Sequence, residues 1–147
     1  MTSFHASVRI ERPLEDVFAY LSDPENFPRW NSAVRTVRPT APERALGSTY
    51  AMTRDLPTGR AENELEITSL EPPHEFAIRT LSGPTPFVYR YRLTPSDGST
   101  LLELDAEVEL SGAAALLGPL ARPAVKGGVE ENFATLKSVL ESPSAPA

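Results

Sequence analysis

Two rows of carboxylates are the densest chemical groups in this chain. Glu62, Glu64 and Glu66 recur every second residue, as do Glu103, Asp105, Glu107 and Glu109. Paired carboxylates serve general acid–base catalysis when their environments push their pKa values apart. Here the residues between them are mostly apolar, so in extended chains the carboxylates share the outward, wet face. They are predicted to pair across strands with arginines such as Arg90 and Arg92 rather than to do chemistry. The histidines, His5 and His74, have no Asp, Glu or second His at ligand spacing, so no metal site is expected. There is no cysteine, which removes disulfides and thiolate chemistry. No Gly-x-Ser-x-Gly elbow is present, and "KGG" at 126–128 lies in a helical pattern rather than a phosphate loop. No catalytic set emerges, and neither metal nor cofactor is expected.

The inward polar residues say more. Asn63, Thr80, Tyr89 and Tyr91 fall in register with apolar core positions. Buried polar groups need hydrogen-bond partners. A ligand pocket is mostly apolar with a few placed polar groups, and this face has that composition. Arg54 shares its parity with Tyr50 and Met52 and could meet an acidic ligand, but is expected at a solvated strand end. In an enzyme, Tyr89 or Tyr91 would donate a proton, because a phenol with a pKa near 10 is a poor base at neutral pH. Asn63 would orient a carbonyl.

Strict alternation predicts the elements that hold these residues. Phe4, Ala6, Val8 and Ile10 form one face of a first strand. A helix follows, with Pro13 at its start and Leu14, Val17, Phe18 and Leu21 at helical spacing. Ser22-Asp23-Pro24 stops it, since the residue before proline avoids the α region. A second short helix then carries Phe27 and Trp30, three residues apart. Trp30 is the only tryptophan. Burying it is worth at most roughly 4–6 kcal/mol, from about 150–250 Å² at about 25 cal/mol per Å². It is read mainly as a packing anchor. Six more strands follow, in 33–39, 48–56, 60–70, 74–82, 86–95 and 100–110, with a hairpin turn at Asp97-Gly98. The last element, from about Gly112 to Ser142, has a helical stripe of Leu116, Leu117, Leu120, Ala124, Val129, Phe133, Leu136 and Leu140. Gly127-Gly128 in its middle points to bending or to close approach by a neighbour.

This order resembles the START-like or SRPBCC superfamily, which includes polyketide cyclase/dehydrase-like proteins and lipid-transfer domains. The residues that carry the likeness are Ile10, Pro13, Val17, Phe18, Leu21, Asp23, Pro24, Phe27 and Trp30. A C-terminal helix from Glu130 to Glu141, with Phe133, adds to them. The resemblance implies an α+β helix-grip fold. In it a curved antiparallel sheet of about seven strands wraps around a long C-terminal helix, and two short helices follow the first strand. It implies a cavity between sheet and helix, with Trp30, Tyr50, Met52, Asn63, Ile78, Thr80, Phe87, Tyr89, Tyr91, Leu104, Ala106 and Phe133 as lining residues. The expected function is to bind a hydrophobic small molecule, such as a lipid, polyketide or aromatic metabolite, as a carrier or sensor. The alternative is a cyclase/dehydratase-like enzyme that shapes its substrate and transfers protons.

The totals agree with one domain over residues 1–142 and a disordered tail at 143–147. A net charge of −6 over 147 residues argues against nucleic-acid partners. No apolar run is long enough for a membrane span and nothing resembles a signal peptide, so a cytoplasmic, bacterial protein is expected. The edge strands offer a route to a homodimer.

Overall fold

The alternating segments pair as read. The computed structural model describes residues 2–56, 59–110 and 115–143. The strands are β1 (Thr2–Ile10), β2 (Val34–Pro39), β3 (Thr49–Leu56), β4 (Gly59–Glu71), β5 (Glu75–Ser82), β6 (Phe87–Ser96) and β7 (Ser99–Val108). They form one antiparallel sheet in the order β1-β7-β6-β5-β4-β3-β2. Register shifts interrupt the β4–β5 pairing at Glu64/Leu65 and Ile67/Ser69, and the β2–β3 pairing at Val34/Thr36. Such bulges add local twist and bend the strands. The β6–β7 turn has positive φ at both Asp97 (50°) and Gly98 (79°), as a two-residue hairpin of the primed type requires.

On the inner face lie Phe4, Ala6, Ile10, Leu65, Ile67, Phe76, Leu93, Leu102, Leu104 and Val108, all buried. The outer face carries the carboxylate rows, paired across strands. Arg79 meets Glu66 at 2.9 Å, Arg90 meets Glu75 at 2.9 Å, and Arg92 meets Asp105 at 2.7 Å. His5 also gains carboxylate neighbours that spacing along the chain does not reveal. Its Nδ1 lies 3.0 Å from Asp105 and its Nε2 3.6 Å from Glu103. Among the described residues, no group of three or more His, Asp or Glu is arranged to hold a metal ion.

Between β1 and β2 the chain forms helix α1 (Leu14–Leu21), a short 3-10 turn at Pro24–Asn26, and α2 (Phe27–Trp30). The Asp23 side chain accepts a hydrogen bond from the Glu25 backbone N–H at 3.1 Å, so Asp23 rather than Ser22 caps the turn. Leu14, Val17, Phe18 and Leu21 are buried, as are Phe27 and Trp30.

The C-terminal element is shorter than its sequence pattern. Helix α3 spans Ala121–Glu141, preceded by a separate 3-10 run over Ala115–Leu120. Gly112, where the pattern begins, lies outside the described residues. Gly118, at φ 56° and ψ −126°, kinks this 3-10 run from within, just before Pro119. Leu116 is 87% and Leu120 67% exposed, and Ala124 is also exposed. Among the described residues, the stripe is fully buried at Phe133, Leu136 and Leu140, and Val129 packs half-buried against the core. The end of α3 is tied to the end of β1. Lys137 Nζ donates to the Arg9 carbonyl at 2.7 Å, Glu141 accepts from the Glu11 N–H at 2.7 Å, and Arg12 donates to the Leu140 carbonyl at 2.6 Å. Of the tail expected at 143–147, residues 144–147 lie outside the described residues. Among the described residues no helix is long and apolar enough to cross a membrane.

Candidate functional site

A partly enclosed cavity of about 210 Å³ lies between the concave face of the sheet and the middle of α3. Four regions build its wall. Phe27, Trp30 and residues 31–34 come from α2 and the turn into β2; Met52 and Arg54 from β3; Ile78 from β5 with Phe87, Tyr89 and Tyr91 from β6; and Val125, Gly128, Val129 and Asn132 from α3. Ser32 and Gly128 are exposed, which puts the mouth between the α2–β2 turn and α3. A small hydrogen-bonded set bridges it. Asn132 Oδ1 accepts from the Ser32 N–H at 3.2 Å, and Asn132 Nδ2 donates to Asn31 Oδ1 at 3.2 Å.

Aromatic rings form much of the wall. Phe27 and Trp30 meet edge to face at 5.7 Å and 81°. Tyr89 and Tyr91 meet edge to face at 6.2 Å, geometries that ring quadrupoles favour. Neither tyrosine hydroxyl has a hydrogen-bond partner among the described residues. Burial pushes Tyr89 up to about 12, with the nearby Arg54 charge opposing. Burial also raises Tyr91 well above its ordinary value, and Tyr89 adds to this. Both phenols therefore stay protonated at neutral pH and face the cavity as donors.

Of the residues expected to line a cavity, Trp30, Met52, Ile78, Phe87, Tyr89 and Tyr91 form this wall together. The others stand elsewhere. Tyr50 is buried but borders a separate shallow depression with Asp23, Glu25 and Arg44. Leu104 and Ala106 are buried in the core beside Tyr91 and Tyr89 on the neighbouring strand and are not part of this wall. Phe133 sits behind the wall, with its ring 6.5 Å from Trp30 and 6.4 Å from Tyr91. Thr80 Oγ1 accepts from the Phe87 N–H at 3.1 Å and so fixes the start of β6.

Asn63 does not present its amide to the cavity. It is 2% exposed, its Oδ1 accepts from Arg54 Nε at 2.8 Å, and its Nδ2 donates to the Ser82 and Pro84 carbonyls at 3.1 and 2.9 Å. Both ends of the amide are spent, so it orients the protein's own arginine instead of a substrate carbonyl.

Arg54 departs most from expectation. It is 9% exposed rather than solvated. Alternation already puts it inward with Tyr50 and Met52; only the habit of charged side chains argued otherwise. Its Nη2 donates to the Pro84 and Thr85 carbonyls at 2.8 and 3.2 Å, and its guanidinium lies 5.3 Å from the Phe87 ring centroid. The loop that supplies these carbonyls is closely fitted. Gly83 has φ +98°, and a Cβ there would sit 2.2 Å from the Glu62 carbonyl and 2.6 Å from Asn63 Nδ2. Asn31, Ser32 and Asn132 carry no local signal of their place at the mouth, because the mouth depends on where α3 crosses the turn.

The family described as polyketide cyclase/dehydrase and lipid transport matches residues 1–141. No curated protein sequence matches the chain. Solved structures share its fold. Protein TTHA0849 from Thermus thermophilus superposes with a TM-score of 0.79 at 16% identity, over 93% of this chain and 95% of that one. A START superfamily protein from Mycobacterium smegmatis gives 0.76 at 18%, over 92% and 94%. The di-domain ARO/CYC StfQ of the steffimycin biosynthetic pathway gives 0.71 at 15%, over 92% of this chain and 49% of that one.

Proposed function

The chain belongs to the polyketide cyclase/dehydrase and lipid transport family, and on that premise we propose that it binds a hydrophobic small molecule in the cavity beneath α3, as a carrier or sensor. The observation that carries this reading is the cavity wall. It is aromatic and aliphatic over most of its area, with two tyrosine hydroxyls that no described protein group satisfies. Such a surface suits an apolar body bearing a few acceptors. Size narrows the class. A cavity of about 150 Å³ holds benzene, so 210 Å³ suits a single substituted ring or a short chain rather than a long acyl lipid.

The only tryptophan stands in the wall, so Trp30 emission reports occupancy. Titrating toluene into the protein should change that emission saturably, and Val129→Phe, which fills the cavity from α3, should abolish the response. A flat titration to the solubility limit of toluene, with the fold intact, would overturn the reading.

A second reading rests on one observation. Tyr89 and the Arg54 guanidinium are close enough to shift each other's ionisation, and together they could polarise a substrate carbonyl in cyclase-like chemistry. Among the described residues, no carboxylate or histidine stands in the wall to act as a base, so binding ranks first.

A further inference from the structure

We infer that the cavity is an anion site: it takes a small monocarboxylate whose body is a single ring or short chain, with Arg54 as the anchor of the carboxylate. This rests on the binding role above and narrows it to a ligand class. The chain carries net charge −6, yet among the described residues the one charged side chain on the cavity wall is a cation. Buried charges in proteins are normally paired, because an isolated one is costly to desolvate. Among the described residues, no carboxylate lies within ion-pair distance of Arg54. Its partners are neutral: the Asn63 amide oxygen, two loop carbonyls and the face of Phe87. They occupy Nε and Nη2. Nη1 has no hydrogen-bond partner among the described residues and is not sealed from solvent-sized space.

A role in holding the loop explains Nε and Nη2. It does not explain a charge, since a neutral amide could donate to those carbonyls without the desolvation cost. Nor does it explain Nη1. Desolvation pulls the Arg54 pKa down, and a bound anion would restore what burial removes. The Tyr89 hydroxyl, protonated and close enough to feel the Arg54 charge, is a second donor for the same group. One cation matches one negative charge. A phosphate dianion would need a second positive group, and the wall holds none. The remaining surface, from Val34, Met52, Ile78 and Val129, accepts the apolar body.

The test uses near-isosteric probes that differ in charge: benzoate, benzamide and the benzamidinium cation, with toluene as the neutral apolar control, all read by Trp30 emission. The expected order is benzoate, then benzamide, then benzamidinium, with benzoate ahead of benzamide by about tenfold or more. Arg54→Gln should remove that preference while toluene still binds. Benzoate, but not toluene, should shift the Arg54 Nε–H resonance in NMR spectra of the wild-type chain, which tests the assignment even if Arg54→Gln does not fold. If toluene binds and benzoate gains nothing over benzamide, the anion site is wrong and the apolar cavity stands. If benzoate leads but leaves the Arg54 resonance unmoved, Arg54 is not the anchor. If no probe binds, both readings fall.

Discussion

The two inward tyrosines set the chemistry this site can perform. A hydroxyl in water ionises near pH 10, but charging it here would put a phenolate in an apolar wall. Tyr89 reaches about 12 even with the Arg54 cation beside it, and the ionisable group that acts on Tyr91 is another phenol, which raises it further. Spectrophotometric titration should therefore show Tyr89 and Tyr91 un-ionised through pH 11, so wild type and a Tyr89→Phe/Tyr91→Phe variant should give the same phenolate absorbance up to that point. An extra phenolate signal in the wild type near pH 10 would mean that the wall is wetter than its geometry implies. As permanent donors, these groups suit recognition of oxygen acceptors. Their inward position is legible from period-2 alternation alone. The role of Asn63 is not, because it depends on a partner nine positions away on the neighbouring strand and on a loop whose path the sequence does not spell out.

Glycines show how elements balance stability against shape. Gly127 and Gly128 lie inside α3, and a Cβ at either would meet no atom within 4 Å. The expectation of a close neighbour there is thus not met; the helix simply passes over open space, part of it the cavity mouth. Gly127→Ala should stabilise the fold by about 0.5–1 kcal/mol through helix propensity, raising Tm by a few degrees in thermal denaturation. Gly83→Ala should do the opposite, by roughly 2 kcal/mol or more, because its Cβ would strike backbone and Asn63 at a positive φ. A neutral Gly83→Ala would mean that the loop over Arg54 is loosely held. Most strands are legible from alternation, because they have one wet and one dry face; β2, inward only at Val34 and Val37, and β5, buried at Phe76, Ala77 and Ile78 in succession, break the pattern. The start of α3 is not legible. Leu116, Leu120 and Ala124 share helical spacing with the core stripe yet are exposed, since spacing gives a face and says nothing of what covers it. The cavity follows the same logic. Parity puts Leu104 and Tyr91 opposite each other on β7 and β6, but only Tyr91 faces the space that α3 leaves open.

At the scale of the whole molecule, a clasp of charged side chains on backbone groups joins the last turn of α3 to the end of β1 and adds to the apolar packing of Leu136 and Leu140. Glu141 accepts from Lys137 and from the Glu11 N–H at 2.6 and 2.7 Å. Glu11 in turn accepts from Ser99 and Arg9. Hydrogen bonding from Lys137 first, then from the Glu11 backbone, holds Glu141 below its ordinary 4.5. Bonds from Ser99, then Arg9, lower Glu11. Folding therefore favours the deprotonated carboxyls. Their contribution is complete above about pH 4.5 and is lost as pH falls through the lowered folded-state values. Denaturant midpoints should stay level between pH 7 and 5 with respect to these groups and decline below that range. In Glu141→Gln the pH 7 midpoint should already be lower and the acid decline shallower. Because both residues are solvent-exposed, the shift should be modest and should shrink in high salt. Equal acid slopes for wild type and Glu141→Gln would show that acid unfolding starts elsewhere. The cavity lies toward the other end of α3, so Glu141→Gln should leave the Trp30 response to toluene unchanged at pH 7; its loss would mean that the clasp and the cavity mouth move together.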